Sequence, residues 1–217
     1  MKEKHSAYFN FIDACREKEC PVCFLTKNKI EKYFDSLLYE YINDPGFREE
    51  FAANNGFCNY HSYKFLGYHD ELAISITHLE ILKNKIKELK AAKVHPKKSG
   101  YCIICNLIKE IESRYITVIV ENIDNPEFKN EFLSSAGLCI PHYERLLMEI
   151  RRPIPAKWLV DFQIKKYDEL YEQLSKLNDS LNESPNKSKI KLSNDEMNSC
   201  KKAVKELFGF EGKTQNK

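Results

Sequence analysis

The sequence predicts an all-α protein: a helical bundle built from two copies of one helical unit, each pinned by a Cys3His metal site, with further helices towards the C-terminal end. Three observations carry this. Helix breakers are scarce, with 7 Gly and 8 Pro in 217 residues, a mix that favours helices. Apolar residues recur at helical spacing along most of the chain. The same set of four potential metal ligands also occurs twice, as Cys20-Pro21-Val22-Cys23 with Cys58-Asn59-Tyr60-His61, and as Cys102-Ile103-Ile104-Cys105 with Cys139-Ile140-Pro141-His142.

The duplication extends past the ligands. At an offset of 81, Ile30, Glu31, Glu40, Ile42, Pro45, Phe47, Glu50, Phe51, Gly56, Cys58 and His61 match Ile111, Glu112, Glu121, Ile123, Pro126, Phe128, Glu131, Phe132, Gly137, Cys139 and His142, and the offset is 82 at the CxxC pairs. Such order over so many residue types marks an internal repeat. The units are read as 1–98 and 99–178, each with its own long helix, followed by a linker at 179–192 and a C-terminal amphipathic helix and tail at 193–217.

Each unit opens on CxxC at the head of a helix. Ile30, Tyr33, Phe34, Leu37, Leu38 and Tyr41 share a face in the first; Ile104, Leu107, Ile108, Ile111, Tyr115, Val118 and Ile119 share one in the second. The helices end near Asn43 and Asn125. Asp44-Pro45 and Asn125-Pro126 then supply an N-cap with proline at the first helical position. The short helix that follows carries Phe47 and Phe51, or Phe128 and Phe132. Gly56 and Gly137 stop it in a left-handed conformation, and CxxH begins the next helix.

A long helix over about residues 70–92 places Leu72, Ile76, Leu79, Leu82, Ile86 and Leu89 on one face. A loop at 95–100 separates the repeats. After His142 the helix runs to about Ile150, 152–155 breaks it, and a third long helix carries Trp158, Phe162, Leu170, Leu174 and Leu177. The last helix, about 194–208, is expected to dock through Met197, Val204, Leu207 and Phe208. The heptad-like stripes read as short helices packing in one bundle, not as an extended coiled coil.

The ligand sets point to zinc. Zn²⁺ takes four tetrahedral donors, with sulfur at about 2.3 Å and imidazole nitrogen at about 2.0–2.1 Å. The expected ligands are Cys20, Cys23, Cys58 and His61 for one ion, and Cys102, Cys105, Cys139 and His142 for a second. Near-equal spacing, 34 residues between Cys23 and Cys58 and 33 between Cys105 and Cys139, favours closure within each repeat. The alternative joins Cys20 and Cys23 to Cys139 and His142. An iron–sulfur cluster is the competing cofactor, although its usual set is four Cys. No βαβ pattern surrounds either CxxC, which argues against a thioredoxin-like pair. Four protein donors leave no position for an activated water, so the sites read as structural.

Six of the eight cysteines fall in these sets, and the N-terminus shows no apolar signal core, so metal binding in a reducing cytoplasm is the expectation rather than a disulfide framework. Cys15 and Cys200 are left over. No run approaches the roughly 20 apolar residues of a membrane span. The net charge of +2 gives no general attraction to polyanions, but Lys83, Lys85, Lys87, Lys90, Lys93, Lys97 and Lys98 form a local basic run that could meet nucleic-acid phosphates; the plainer reading is a solvated helix face. No P-loop, dinucleotide glycine pattern, HExxH or GxSxG occurs, and no nucleophile–base pair is nominated.

At the quoted motifs the chain resembles a family of uncharacterised bacterial proteins, common in clostridia and their relatives, that pair Cys-Pro-x-Cys with a later Gly-Phe/Leu-Cys-x-x-His, twice over. Gly56-Phe57-Cys58 and Gly137-Leu138-Cys139 carry the second half of that match. Ser199 to Val204 and Leu207 to Gly209 resemble the family's closing helix, where an aromatic residue is commoner at the position of Cys200. The resemblance implies a domain of unknown function; it supports the metal ligands and adds no activity. The functional reading is a zinc-binding structural or protein-interaction module with an unidentified protein partner. The alternative is a thiol-redox or metal-responsive regulator, or an iron–sulfur protein.

Overall fold

The computed structural model describes residues 6–92, 102–150, 157–183 and 194–211. Every regular element among them is helical: α1 (Ser6–Ala14), α2 (Pro21–Tyr39), a 3-10 turn (Tyr41–Asn43), α3 (Pro45–Ala53), α4 (Asn59–Leu66), α5 (Glu71–Lys90), α6 (Ile103–Asn122), α7 (Pro126–Leu133), α8 (Ile140–Glu149), α9 (Lys157–Glu183) and α10 (Asn194–Phe208). The loop expected at 95–100 and the break at 152–155 lie outside the described residues. The linker expected at 179–192 begins later than its composition suggests, because α9 continues through residue 183; its remainder lies outside the described residues.

Contacts divide the chain into two compact units, and the divisions fall inside α2 and α6. One unit takes the chain up to Leu25 together with Glu112 to Glu211; the other takes Thr26 to Ile111. Each therefore combines the start of one sequence repeat with the end of the other.

In the unit that ends at Glu211, α1 packs on α7. Phe11 is fully buried and stacks on Phe128 and Phe132, with ring centroids 5.5 and 6.1 Å apart. Phe132 meets Trp158 and Phe162 edge-on, which ties α9 to the same core. In the other unit Phe57 lies among Phe34, Phe51 and Phe65. Such edge-to-face pairs add roughly 0.5–1.5 kcal/mol each beyond area burial.

The local signals act as the repeat predicts. Asp44 accepts from the Gly46 N–H, and Asn125 from Glu127 and Phe128, each just before a proline at the first turn. These caps satisfy N–H groups that the helix itself cannot. Gly56 and Gly137 sit at φ +69° and +87°. A Cβ on Gly56 would come within 3.0 Å of Ile81 and 3.1 Å of Phe51, so both conformation and space demand glycine there.

Two apolar faces differ from expectation. On α5, Leu72, Leu79, Leu82, Ile86 and Leu89 are exposed, between 51% and 70%, and only Ile76 of the expected stripe is partly covered. The helix instead packs on α3 and the 3-10 turn, burying Ala73 and Thr77 and half-burying Ile74 and Ile81. Small side chains permit that close approach, and the Thr77 hydroxyl is satisfied by Ala73 O at 2.8 Å. Leu79 lies two residues from Thr77, about 200° round the helix, and so faces outward.

On α10 the expected docking residues Val204, Leu207 and Phe208 are likewise exposed, while Met197 lies outside the described side chains. The face against α8 and α9 carries Ser199, Ala203 and Glu206, all buried. Here too a narrow small-and-polar face makes the contact in place of the larger apolar one.

Candidate metal centres

The eight predicted ligands form two groups, with the pairing crossed. Cys20, Cys23, Cys139 and His142 make one; Cys58, His61, Cys102 and Cys105 make the other; within each group the ligand atoms all lie within 4.8 Å of one another. Closure within each repeat is corrected. The reason is helix length. From Cys23 to the end of α2 at Tyr39 the chain rises about 24 Å at 1.5 Å per residue, while the 9 residues of α3 span only about 13 Å. The CxxH that follows meets the other CxxC, and each group falls wholly within one contact unit.

The donor atoms of each group cluster at separations close to the edges of a metal-centred tetrahedron. In the first group Cys23 Sγ is 3.6 Å from Cys139 Sγ, and His142 Nδ1 is 3.5, 3.4 and 3.1 Å from the sulfurs of Cys20, Cys23 and Cys139. In the second, Cys105 Sγ is 3.7 Å from Cys58 Sγ, and His61 Nδ1 is 3.6, 3.4 and 3.1 Å from Cys102, Cys105 and Cys58. Zinc–ligand bonds of standard length imply edges of about 3.8 Å between sulfurs and about 3.6 Å from sulfur to nitrogen. In both groups Nδ1 is the imidazole atom that faces the thiols.

All four half-sites sit at helix starts. Cys20 precedes Pro21 of α2 and Cys102 precedes Ile103 of α6, while Cys58 and Cys139 are the N-cap residues of α4 and α8. Each group thus joins two helix N-termini, whose partial positive charge favours thiolate.

Partners beyond the ligands differ between the groups. In the first, Glu112 Oε1 lies 3.0 Å from His142 Nε2, close but not aligned for a straight hydrogen bond. Arg145 Nη1 reaches Glu112 Oε2 at 3.2 Å. A carboxylate behind a ligating imidazole fixes its orientation and raises its basicity, and Arg145 offsets the carboxylate charge. The loop before Cys139 is held by α9: Gln163 donates to Leu138 O at 2.8 Å and accepts from Leu138 N at 3.0 Å, and Tyr167 donates to the same carbonyl at 3.0 Å. In the second group Cys58 is half-buried, and Glu31, the repeat counterpart of Glu112, is exposed.

Sequence reasoning picked out the eight residues that these two groups bring together and missed Glu112, Arg145 and Gln163 beside them. A glutamate directly beside Ile111 on an otherwise apolar helix face was the available signal for Glu112. Gln163 beside Phe162 was a weaker one.

The electrostatics show groups competing for negative charge. Burial opposes ionisation of Cys20, but hydrogen bonds with Cys139 and Cys23 and the charge of His142 outweigh it and hold its pKa well below the usual value. Hydrogen bonds with Cys139 and Cys20, then burial, push Cys23 far up. Burial opposes the charged form of His142, yet the Cys20 thiolate and its bonded partners raise its pKa. In the second group burial acts against Cys102, and hydrogen bonds with His61 and from the backbone at Cys58 and Cys105 bring it down to about 6. Burial and the charges of Cys102 and Cys58 raise Cys105. In the first group Cys20 ionises readily while Cys23 and Cys139 resist, and in the second Cys102 ionises readily while Cys105 resists; a divalent cation bound there would favour the thiolates together.

The leftover cysteines stand apart from both groups. Cys15 is buried, and burial together with the nearby Glu131 charge raises its pKa to about 12, which leaves it an inert core thiol. Cys200 is exposed. His78 is a satisfied helix histidine, 2.8 Å from Ile74 O through Nδ1. In the basic run, Lys83 pairs with Glu80 and Lys85 with Glu88, while Lys93, Lys97 and Lys98 lie outside the described residues. No described helix is long and apolar enough to cross a membrane.

Comparison with known proteins gives a consistent picture. The model of a family of unknown function, DUF6062, matches residues 1–81 and 69–214. An uncharacterized 23.9 kDa protein in the xynA 3' region of Caldicellulosiruptor sp. (strain Rt8B.4) is 25% identical over 171 residues, covering 76% of this chain and 84% of the relative. No solved structure matches.

Proposed function

We propose that this chain, which belongs to the DUF6062 family of unknown function, is a zinc-stabilised helical module with two structural Cys3His sites, and that it acts by binding other proteins in a reducing cytoplasm. The observation that carries the zinc reading is the pair of four-donor clusters, each with three thiols gathered 3.1 to 3.6 Å from one imidazole nitrogen. Three thiols and one imidazole suit zinc better than iron–sulfur chemistry, in which a histidine ligand is the less common case.

Zinc bound by these residues would act as a closed cross-link between two helix starts. Four protein donors leave no position for substrate or an activated water, which favours a structural role over catalysis.

Elemental analysis of anaerobically purified protein tests this reading. About two zinc and no iron per chain are expected. Iron with inorganic sulfide would overturn it in favour of a cluster protein, and release of the metal with disulfide formation under mild peroxide would favour a redox regulator.

A further inference from the structure

The outward face of α5 has no role in either metal centre. Leu72, Leu79, Leu82, Ile86 and Leu89 are 69%, 61%, 58%, 51% and 70% exposed. With Ser75 they alternate in steps of three and four residues, 72–75–79–82–86–89. That is the 3.5-residue period of a coiled-coil seam, not the broader stripe of a helix packed into a globular core. The face that α5 buries within its unit, through Ala73 and Thr77, lies on the other side. The helix thus carries two packing faces, and only one is used among the described residues.

We propose that this seam is an interface between two copies of the chain, formed by α5 pairing with α5 of the second copy in antiparallel orientation. The proposal goes beyond the metal-site reading and does not depend on it. Size is its first support. The seam runs about 26 Å from Leu72 to Leu89 at 1.5 Å per residue. Five such side chains expose on the order of 500 Å² per copy, a large part of the roughly 800 Å² per partner that a standard interface buries. A patch of this size is about as large as the largest apolar patch on a typical monomer, and such patches are often functional.

Self-complementarity is the second. In an antiparallel pair, Leu72 of one copy lies opposite Leu89 of the other, Leu79 opposite Leu82, and Ser75 opposite Ile86. Every layer then contains at least one large aliphatic side chain. A parallel pair would set Ser75 against Ser75 and leave a hole. It would also bring Lys85 of one copy beside Lys90 of the other along the seam edge, a like-charge contact. The antiparallel register separates those lysines and sets Lys83 beside Ile76.

The test is the mass of the zinc-loaded full chain by sedimentation equilibrium, over about 1 to 100 µM, alongside the double variant Leu79→Glu/Leu82→Glu. The changed side chains are exposed in the single chain, so helicity by circular dichroism and zinc content should be unchanged. Wild type is expected to form a dimer, and the variant to weaken it at least about 100-fold, since several buried leucines are lost and charges face one another. A photo-crosslinker replacing Leu72 should attach near Leu89. A monomer throughout the concentration range, a dimer that survives the double substitution, or a crosslink from position 72 back to its own neighbourhood would overturn the proposal. A wild-type monomer whose seam is covered by a different protein counts against it equally.

Discussion

Cys23 Sγ lies 3.6 Å from Cys139 Sγ, although 116 positions separate them in the chain. The same crossing brings Cys105 within 3.7 Å of Cys58. Each half of the duplicated sequence therefore supplies a CxxC to one centre and a CxxH to the other. Neither repeat holds a complete donor set within one contact unit. The ions would then resist separation of the repeats as well as local unfolding.

The support behind His142 predicts a difference between the centres. Glu112→Ala removes the carboxylate 3.0 Å from Nε2 and should lower affinity at the Cys20/Cys23/Cys139/His142 centre by about 10- to 100-fold. The other centre, whose repeat counterpart Glu31 is exposed, should keep its affinity in both Glu112→Ala and Glu31→Ala. Competition with a colour-changing chelator, which resolves two affinities per chain, reads this directly. Equal weakening of both centres by Glu112→Ala would count against the assignment.

Gln163 is a buried polar side chain that makes two hydrogen bonds to the Leu138 peptide. Gln163→Leu leaves the Leu138 N–H without that acceptor and its carbonyl with Tyr167 alone. The expected cost is about 2–3 kcal/mol of stability, with faster zinc loss from the adjacent Cys139 centre. Urea unfolding of the zinc-loaded protein measures the first and chelator kinetics the second. An unchanged midpoint would show that Gln163 does not brace the loop.

Glu206 should make stability depend on pH. Burial, reinforced by the Cys20 thiolate and only partly offset by Lys202, raises its pKa to about 7 from an ordinary 4.5. The folded state holds a proton that the unfolded chain releases. This contribution is fully present below the unfolded value and is lost as pH rises through about 7. Glu206→Gln removes that loss. The variant should gain on the order of 2 kcal/mol over wild type at pH 8, and progressively less towards pH 5. Denaturation midpoints at pH 5, 6, 7 and 8 check this; a gain that does not grow with pH would contradict it.

Much of the architecture was legible in the sequence because its signals are local. Asp44-Pro45 and Asn125-Pro126 cap and start helices whatever lies around them, and Gly56 and Gly137 take positive φ because the chain must turn there. The eight clustered residues were legible because residue type and spacing mark them as candidate metal donors. Their pairing was not. Near-equal intervals are produced equally well by closure within repeats and by exchange between them, and only the reach of α2 against that of α3 separates the two.

Apolar stripes misled for a related reason. Periodicity says that Leu79 and Leu82 share a face, not whether that face turns inward. On α5 the small residues Ala73 and Thr77 won the inward position because they allow closer approach, and on α10 Ala203 and Ser199 did the same. Glu112 and Gln163 were hidden because a buried polar residue is recognised only once its partner, His142 or the Leu138 peptide, is known.

The crossed pairing is tested most directly by zinc content in two double variants. Cys23→Ser/Cys139→Ser places both changes in one centre, and Cys23→Ser/Cys58→Ser divides them between the two. With crossed centres the first variant should retain about one zinc per chain and the second close to none. The reverse result, about one zinc in Cys23→Ser/Cys58→Ser and none in Cys23→Ser/Cys139→Ser, would show that each repeat closes on itself.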